Sequence, residues 1–182
     1  MGLVATILRK VPILHEPSTL HLSGSTEVSI KSDQLIVWVS GTPSGLSEIP
    51  AKTPYFPVVL DTGFNHTFLI SEKHLEEWAG LKAKDLTWID VLSADGQPIP
   101  LRDADVWIRP NKPHSRDPAI EAEPFRLELP DGIGVWPTAV PGARRLPLLG
   151  TRALRRGRLL ADLNFRIGWF SLYTHRWWRF FG

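Results

Sequence analysis

The stretch FPVVLDTGFNHTFLI, residues 56–70, contains a carboxylate at the point where an apolar run ends. Residues 56–60 are typical of a buried strand, and a second apolar run begins at Phe68. A carboxylate beside a buried strand is unfavourable unless it is hydrogen-bonded or shares a proton. The position of Asp61 therefore indicates a chemical role.

That role becomes concrete if two such carboxylates face each other. They cannot both ionise, so they hold one proton between them. The ionised member can then activate a water molecule while the protonated member polarises a carbonyl group. The next residue, Thr62, can anchor the loop through its hydroxyl group, and Gly63 permits a tight turn and a close approach of substrate.

The composition is that of a single globular domain. The chain has 182 residues, 43% hydrophobic and 22% charged, and its 16 prolines and 14 glycines favour many short elements. It contains no cysteine, which excludes disulfides and cysteine-ligated metal sites. No run reaches the length of a membrane span, and the N-terminus lacks the features of a secretory signal. These features predict a cytoplasmic protein without a transmembrane segment.

Local patterns predict a mainly β domain with one or two short helices. In SEKHLEEWAGL, Ser71 is a good helix N-cap and Gly80 can end the helix. WIDVLSADGQPIPL predicts a hairpin with Asp95 and Gly96 at its tip. TRALRRGRLL predicts one or two helical turns, and ADLNFRIGWFSLY a final strand pair around Gly168. DGIG, at residues 131–134, lacks the context of a nucleotide-binding turn and predicts a loop.

Three of these segments together resemble the retropepsin-like aspartic proteases, the single-domain relatives of pepsin. VVLDTG is similar to the active-site motif of that family, VLSADGQPIPL to its flap hairpin, and PLLGTRAL to its second signature, in the same order along the chain. The resemblance implies an acid-protease β-barrel over residues 50–172. Residues 1–49 would be an N-terminal extension packed on the same domain, and residues 173–182 a basic aromatic tail.

The resemblance also implies an activity and a set of site residues. The chain has one such motif, so a catalytic pair requires a symmetric homodimer with Asp61 from each subunit. Thr62 and Gly63 would form the active-site loop of an endopeptidase that binds an extended peptide or protein. No metal or organic cofactor and no nucleic acid is expected. The substrate-binding residues would be Phe64, Asn65, Ala94, Asp95, Gly96, Leu148 and Leu149.

Three positions depart from the pattern of the family. Phe64 stands where the family usually has a small residue, so it would crowd the pocket or require a rearranged loop. Asn65 and Thr151 stand where many retroviral members have an aspartate and an arginine, so an ion pair would be lost at both ends. Thr67 keeps the hydroxyl group that often opens the next strand.

Two other functions remain open at this stage. One is a catalytically inactive binding module of the same fold, with Phe64 filling the cleft. The other is a nucleic-acid or lipid-surface binder, because residues 142–182 carry nine arginines and one aspartate, and the C-terminal HRWWRFFG interleaves arginine with aromatic residues. The six histidines show no metal-binding spacing, although His66 could line a site near Asp61.

Overall fold

A computed structural model of the chain describes residues 3–22, 26–143 and 145–176. Two α-helices are present in these ranges, α1 (Glu72–Ala79) and α2 (Thr151–Arg156), with a 3-10 helix at Ala83–Asp85. The strands are β1 (Leu3–Pro12), β2 (Ser18–His21), β3 (Glu27–Ile30), β4 (Ile36–Pro43), β5 (Phe56–Asp61), β6 (Phe68–Ser71), β7 (Trp88–Ala94), β8 (Gln97–Arg102), β9 (Ala104–Ile108), β10 (Phe125–Leu127), β11 (Ile133–Trp136), β12 (Leu148–Gly150), β13 (Leu159–Asn164) and β14 (Trp169–Arg176).

Most strands belong to one nine-stranded sheet with the order β10-β9-β4-β5-β12-β6-β11-β8-β7. Two neighbouring pairs are parallel, β5 with β12 and β6 with β11, and the other pairs are antiparallel. The predicted mainly β class with two short helices is confirmed. In the described residues this sheet does not close on itself, so the predicted barrel is not found.

The local signals place α1 and the β7–β8 hairpin where the sequence predicts them. The Ser71 hydroxyl accepts a hydrogen bond from the His74 N–H at 3.1 Å, and Gly80 ends α1 with a φ of 69°. At the hairpin tip, Asp95 and Gly96 have φ values of 49° and 75°. Aspartate and glycine are the residue types that adopt this left-handed backbone most readily.

A second sheet joins the two ends of the described chain. β14 lies between β1 and β13 and is antiparallel to both. The predicted strand pair around Gly168 is confirmed, with a φ of 76° at that glycine. β14 continues to Arg176, past the predicted core boundary at residue 172. The rest of the predicted tail, residues 177–182, lies outside the described residues.

The predicted loop at residues 131–134 is wrong at its C-terminal half. Gly132 forms a turn with a φ of 70°, but Ile133 and Gly134 already belong to β11. β11 pairs with β6 on one side and with β8 on the other. A Cβ atom on Gly134 would lie 2.8 Å from the Leu92 side chain. This glycine therefore serves close packing within a strand, which a strand pattern does not reveal.

One strand of the segment predicted as an N-terminal extension, β4, belongs to the main sheet. β4 lies between β5 and β9 and pairs with both. Buried side chains from both sheets and both helices form one apolar core, among them Leu8, Val58, Leu75, Ala153 and Phe170. Within the described ranges, no helix has the length and apolar character that crossing a membrane requires.

Candidate functional site

The three-residue strand β12 lies between β5 and β6 and holds the loop that joins them. It pairs in parallel with β5, so that Gly150 stands beside Asp61. The Gly150 N–H donates to the Thr67 carbonyl oxygen at 2.9 Å, and the Thr151 N–H donates to the Phe64 carbonyl oxygen at 3.1 Å. The loop after Asp61 is therefore fixed at two points by backbone hydrogen bonds from the start of α2.

Gly150 fits this loop so closely that no side chain has room there. A Cβ atom at this position would lie 2.1 Å from the His66 carbonyl oxygen and 2.5 Å from the Phe64 carbonyl oxygen. Both contacts are with backbone atoms, which cannot rotate away as a flexible side chain can. A glycine is therefore required at position 150 of PLLGTRAL, because only a residue without a side chain lets β12 approach the loop after Asp61 so closely.

Asp61 lies at the end of β5 and is half-buried. Its Oδ1 atom accepts a hydrogen bond from the Gly63 N–H at 2.8 Å. Its Oδ2 atom accepts no hydrogen bond from any described residue, so one carboxylate oxygen stays available to a ligand. Thr62 and Gly63 are exposed, and the Thr62 hydroxyl makes no hydrogen bond with the described part of the chain.

Thr67 ties the other end of the loop to the core. Its buried hydroxyl donates to the Gly132 carbonyl oxygen at 2.8 Å. That carbonyl belongs to the turn just before β11, the strand that pairs with β6. The hydroxyl group predicted to open the next strand is therefore present and used, one residue before β6 begins at Phe68.

A groove of about 790 Å³ runs past the carboxylate, and we call it the Asp61 groove. Its lining includes Ser29 and Lys31 from the β3 region, Asp61 from β5, and Arg145 and Leu148 from the segment that ends in β12. Asp61 is the one carboxylate among the described lining residues. The volume is within the range of sites that bind small molecules or peptide side chains.

Of the predicted substrate-binding residues, Leu148 alone lines this groove. Leu149 is fully buried in the main core and has no exposed surface for substrate. Ala94, Asp95 and Gly96 lie at the end of the β7–β8 hairpin and do not line the groove. Among the described residues, the hairpin tip and Asp61 therefore do not line the same cavity.

Phe64 packs under the β7–β8 hairpin and leaves the groove open. Its half-buried ring is associated with an apolar cluster that also takes in Ala94 and Leu148. The ring centroid lies 5.5 Å from that of His66. The sequence led us to expect that Phe64 would either crowd the pocket or require a rearranged loop. In the described structure Phe64 does not crowd the groove, since it is not among the lining residues. The aromatic side chain supports the hairpin instead.

The positions of the lost ion pair are close together. Asn65 and Thr151 line one open cavity of about 470 Å³ with Arg152 and Arg155. The Thr151 hydroxyl lies 3.4 Å from the Phe64 carbonyl oxygen. Thr151 therefore makes a neutral contact to the loop backbone. Its position is the one at which many retroviral members of the family that the chain resembles have the arginine of an ion pair.

His66 lies in this loop, and its surroundings disfavour the protonated ring. Its pKa is lowered from the ordinary value, first by burial of the ring and then by the positive charge of Arg152. A hydrogen bond to the backbone of Ser93, in β7, acts in the opposite direction. His66 thus links the Asp61 loop to the hairpin, but it does not line the Asp61 groove.

One wall of the groove was not predicted from the sequence. The lining includes Pro17, residues 29–32 and Gln34, all within residues 1–49, the predicted N-terminal extension whose role the sequence leaves open. The cationic residue Arg145 was also missed. Its only sequence signal is its position just before the LPLLG run. The lining residues of this wall form no sequence motif, because they are brought to Asp61 by the packing of the β2–β3 hairpin, in which the two strands pair antiparallel.

In the described residues, no group of three or more acidic or histidine side chains is placed to hold a metal ion. Comparison of the chain with protein-family models, with curated proteins and with solved structures finds no match. The function is therefore argued from the residues and geometry of the Asp61 loop.

Proposed function

We propose that the chain is an aspartic endopeptidase that acts as a homodimer and hydrolyses peptide bonds with one Asp61 from each subunit. The observation that carries this proposal is the fit of Gly150 against the loop after Asp61. The loop is held by the Gly150 and Thr151 N–H groups and borders a groove. Such backbone fixation suits a catalytic group, because its position must be held within a fraction of an ångström.

The need for a dimer follows from the charge of the site. Asp61 is the one carboxylate among the described residues of the groove, and a single ionised carboxylate has no acidic partner to polarise the substrate carbonyl. A second copy related by a twofold axis would bring an identical Asp61 to the same place. The exposed Thr62 and Gly63 beside it leave room for that approach.

The chemistry of the pair balances without a cofactor. The ionised Asp61 accepts a proton from a water molecule, whose oxygen forms a bond to the substrate carbonyl carbon. The protonated Asp61 of the second copy donates a hydrogen bond to the carbonyl oxygen and stabilises the tetrahedral intermediate. The carbon–nitrogen bond then breaks, and the leaving nitrogen takes the proton that the first Asp61 accepted from water, so the pair again holds one proton. The Gly63 N–H keeps one Asp61 oxygen oriented throughout this sequence.

The substrate would bind in an extended form. The groove beside Asp61 accepts side chains, and an extended peptide can form main-chain hydrogen bonds with exposed strand or loop edges. The β7–β8 hairpin, supported by Phe64, would close over the peptide and exclude water. This closure requires the hairpin tip at Asp95 and Gly96 to move toward the groove, which it does not line in the single subunit.

The test is cleavage of a diverse peptide pool between about pH 3.5 and about pH 7, with the wild type and Asp61→Asn compared. We expect cleavage by the wild type and none by the variant. The fold and the oligomeric state of both proteins are checked by circular dichroism and analytical ultracentrifugation. Asp162→Asn serves as the control, since Asp162 is exposed in β13 and belongs neither to the groove nor to the hairpin.

Each outcome has a definite meaning. Equal cleavage by the wild type and Asp61→Asn would overturn the proposal, because the activity would then belong to another site or to a contaminant. Binding of peptides without cleavage by the wild-type dimer would favour the non-catalytic binding module. A wild type that stays monomeric but cleaves through Asp61 would overturn the dimeric mechanism alone.

A further inference from the structure

Arg109 is a buried cation without a counter-charge in the described residues. It follows β9 directly, and only 8% of its surface is exposed. Its Nε atom donates to the Ser40 hydroxyl at 3.1 Å, and its Nη2 atom makes a long contact of 3.5 Å to the Thr53 carbonyl oxygen. Its Nη1 atom donates to no acceptor in the described part of the chain. Burial lowers the pKa of Arg109, which reflects the unfavourable desolvation of the charge.

Arg116 provides a matched comparison within the same molecule. It is also 8% exposed, and burial lowers its pKa as well. All three of its guanidinium nitrogens have protein acceptors, which are the Pro12 carbonyl, the Ser18 hydroxyl and the Gln34 carbonyl. Each guanidinium nitrogen of Arg116 therefore has a protein acceptor. In Arg109 the Nη1 atom has none among the described residues, and it is not one of the fully buried unpaired atoms, so it is accessible to a ligand.

Arg109 lines a pocket of about 510 Å³, which we call the Arg109 pocket. Its walls are apolar and aromatic, with Trp38, Pro50, Tyr55 and Ile120 among them. The Trp38 and Tyr55 rings meet edge to face at 5.7 Å, and the Arg109 guanidinium carbon lies 6.0 Å from the Tyr55 ring centroid. The Arg109 pocket shares no lining residue with the Asp61 groove.

We propose that the Arg109 pocket binds a small organic carboxylate with an apolar, aromatic body. The carboxylate would accept hydrogen bonds from Nη1 and Nη2, the end of the guanidinium that Ser40 leaves open. The body would lie against Trp38 and Tyr55. Lys52 and His21 also line the pocket, and none of its described lining residues is acidic, so no negative charge repels the carboxylate. A pocket of this size, with apolar walls and the two cations Arg109 and Lys52, has the character of a small-molecule site.

The first test compares two ligands of the same shape on the wild-type protein. Phenylacetate carries the carboxylate, and phenylacetamide is its neutral counterpart. We expect phenylacetate to bind at least about ten-fold more tightly, because charge-assisted hydrogen bonds are the larger part of the recognition. Amide resonances of Thr53 and Tyr55 and the indole resonance of Trp38 should shift on titration, as followed by two-dimensional NMR. Equal affinity of the two ligands would overturn the proposal.

The second test uses variants. Arg109→Gln should abolish the preference for phenylacetate, and Arg116→Gln, which removes an equally buried guanidinium outside the pocket, should keep it. Ile120→Glu covers the case in which Arg109→Gln does not fold, because Ile120 is an exposed lining residue. A carboxylate there should weaken phenylacetate binding and leave phenylacetamide unchanged. If the preference for phenylacetate over phenylacetamide survives both Arg109→Gln and Ile120→Glu, the proposal is overturned. Asp61→Asn should have no effect, so this test is independent of the proposed activity.

Discussion

The centre and the edge of the nine-stranded sheet are built in different ways. At the centre, β12 has only three residues, yet it pairs with strands on both sides, and Leu149 within it is fully buried. At the edge, β7 pairs with β8 alone, the register shifts between Trp88 and Asp90, and Trp88 and Val91 are 55% and 47% exposed. The centre is fixed by backbone fit on both sides, whereas the edge strand is paired on one side only.

This difference matches the parts that the two regions would have in a hydrolase. A carboxylate needs a fixed position, and the Asp61 loop has one through Gly150 and Thr67. A hairpin that closes over substrate needs a small free energy of opening, and such elements come from the less stable parts of a structure. Substitutions at the centre should therefore affect the whole fold, and those in the hairpin should stay local.

The largest effect is expected from Gly150→Ala. Its Cβ atom would overlap the carbonyl oxygens of His66 and Phe64, so the strand or the loop must move. We expect a loss of at least about 3 kcal/mol in the free energy of unfolding, as in strongly overpacked sites, and loss of peptide cleavage. Urea denaturation followed by circular dichroism measures the first and the peptide assay the second.

Gly41→Ala is the matched control for this substitution. Gly41 lies in β4 of the same sheet, and a Cβ atom there would meet its neighbours at ordinary contact distances of 3.5 and 3.6 Å. It should change stability far less than Gly150→Ala. Similar losses of unfolding free energy in both variants would mean that replacing any glycine of this sheet by alanine is destabilising. That result would refute the special fit at Gly150.

The next effect in size is expected from Thr67→Val. The substitution keeps the shape of the side chain but removes the buried hydroxyl that donates to the Gly132 carbonyl oxygen. A buried acceptor left without a donor costs about 1–3 kcal/mol. Thr53→Val is the control, because the Thr53 hydroxyl donates to the Pro50 carbonyl at an exposed site. Equal losses in the two variants, measured by thermal denaturation, would contradict the role assigned to burial.

Local signals account for the parts of the fold that the sequence predicts correctly. Ser71 and Gly80 at the ends of α1, Asp95 and Gly96 at the hairpin tip, and Gly168 between the last strands each adopt the backbone that their residue type favours. These choices depend on a few neighbouring residues and hardly on the rest of the chain. They predict the boundaries of elements but not how the elements are arranged.

Long-range packing accounts for the rest. β11 contains Gly134 because Leu92 and Leu69 leave no room for a Cβ atom there. The glycine makes the sequence of this strand resemble that of a loop. Lys31 reaches the Asp61 groove only because the β2–β3 hairpin folds toward β5. The chain alone also does not reveal that Phe64 packs under the hairpin and leaves the cleft open. The place of Asp61 at the end of a buried strand was predictable, because an apolar run leads directly into it.

At the edge, Gly96→Ala should have a smaller effect, confined to the hairpin. Gly96 has a φ of 75° with open space around it, so the penalty is backbone strain alone, about 1–2 kcal/mol. Gly96→Asn should be milder, since asparagine adopts this conformation more readily. Hydrogen exchange should rise in β7 and β8 and stay unchanged in β5 and β12. Increased exchange at the centre would show that the two regions are coupled.

The smallest effect is expected from His74, a single half-buried ring in α1 near the central strands. The ring stacks on Trp78 at 3.8 Å, and its buried Nδ1 atom has no hydrogen-bond partner within the described residues. Burial lowers its pKa below 6.5. As the pH falls below 6.5, the unfolded chain therefore takes up this proton before the folded chain does, and stability decreases until the pH passes the lowered pKa. From about one pH unit above 6.5 upward, the contribution of His74 is constant.

His74→Phe keeps an aromatic ring against Trp78 but cannot titrate, so it isolates this contribution. The difference in unfolding free energy between wild type and variant should shift in favour of the variant from about pH 7.5 to about pH 5. The pKa of His66 is lowered too, but His66 is present in both proteins and cancels. A constant difference across this range would mean that His74 has the same pKa in both states. The shift also matters for function, because the proposed Asp61 pair would work in the acid range where His74 weakens the fold that holds it.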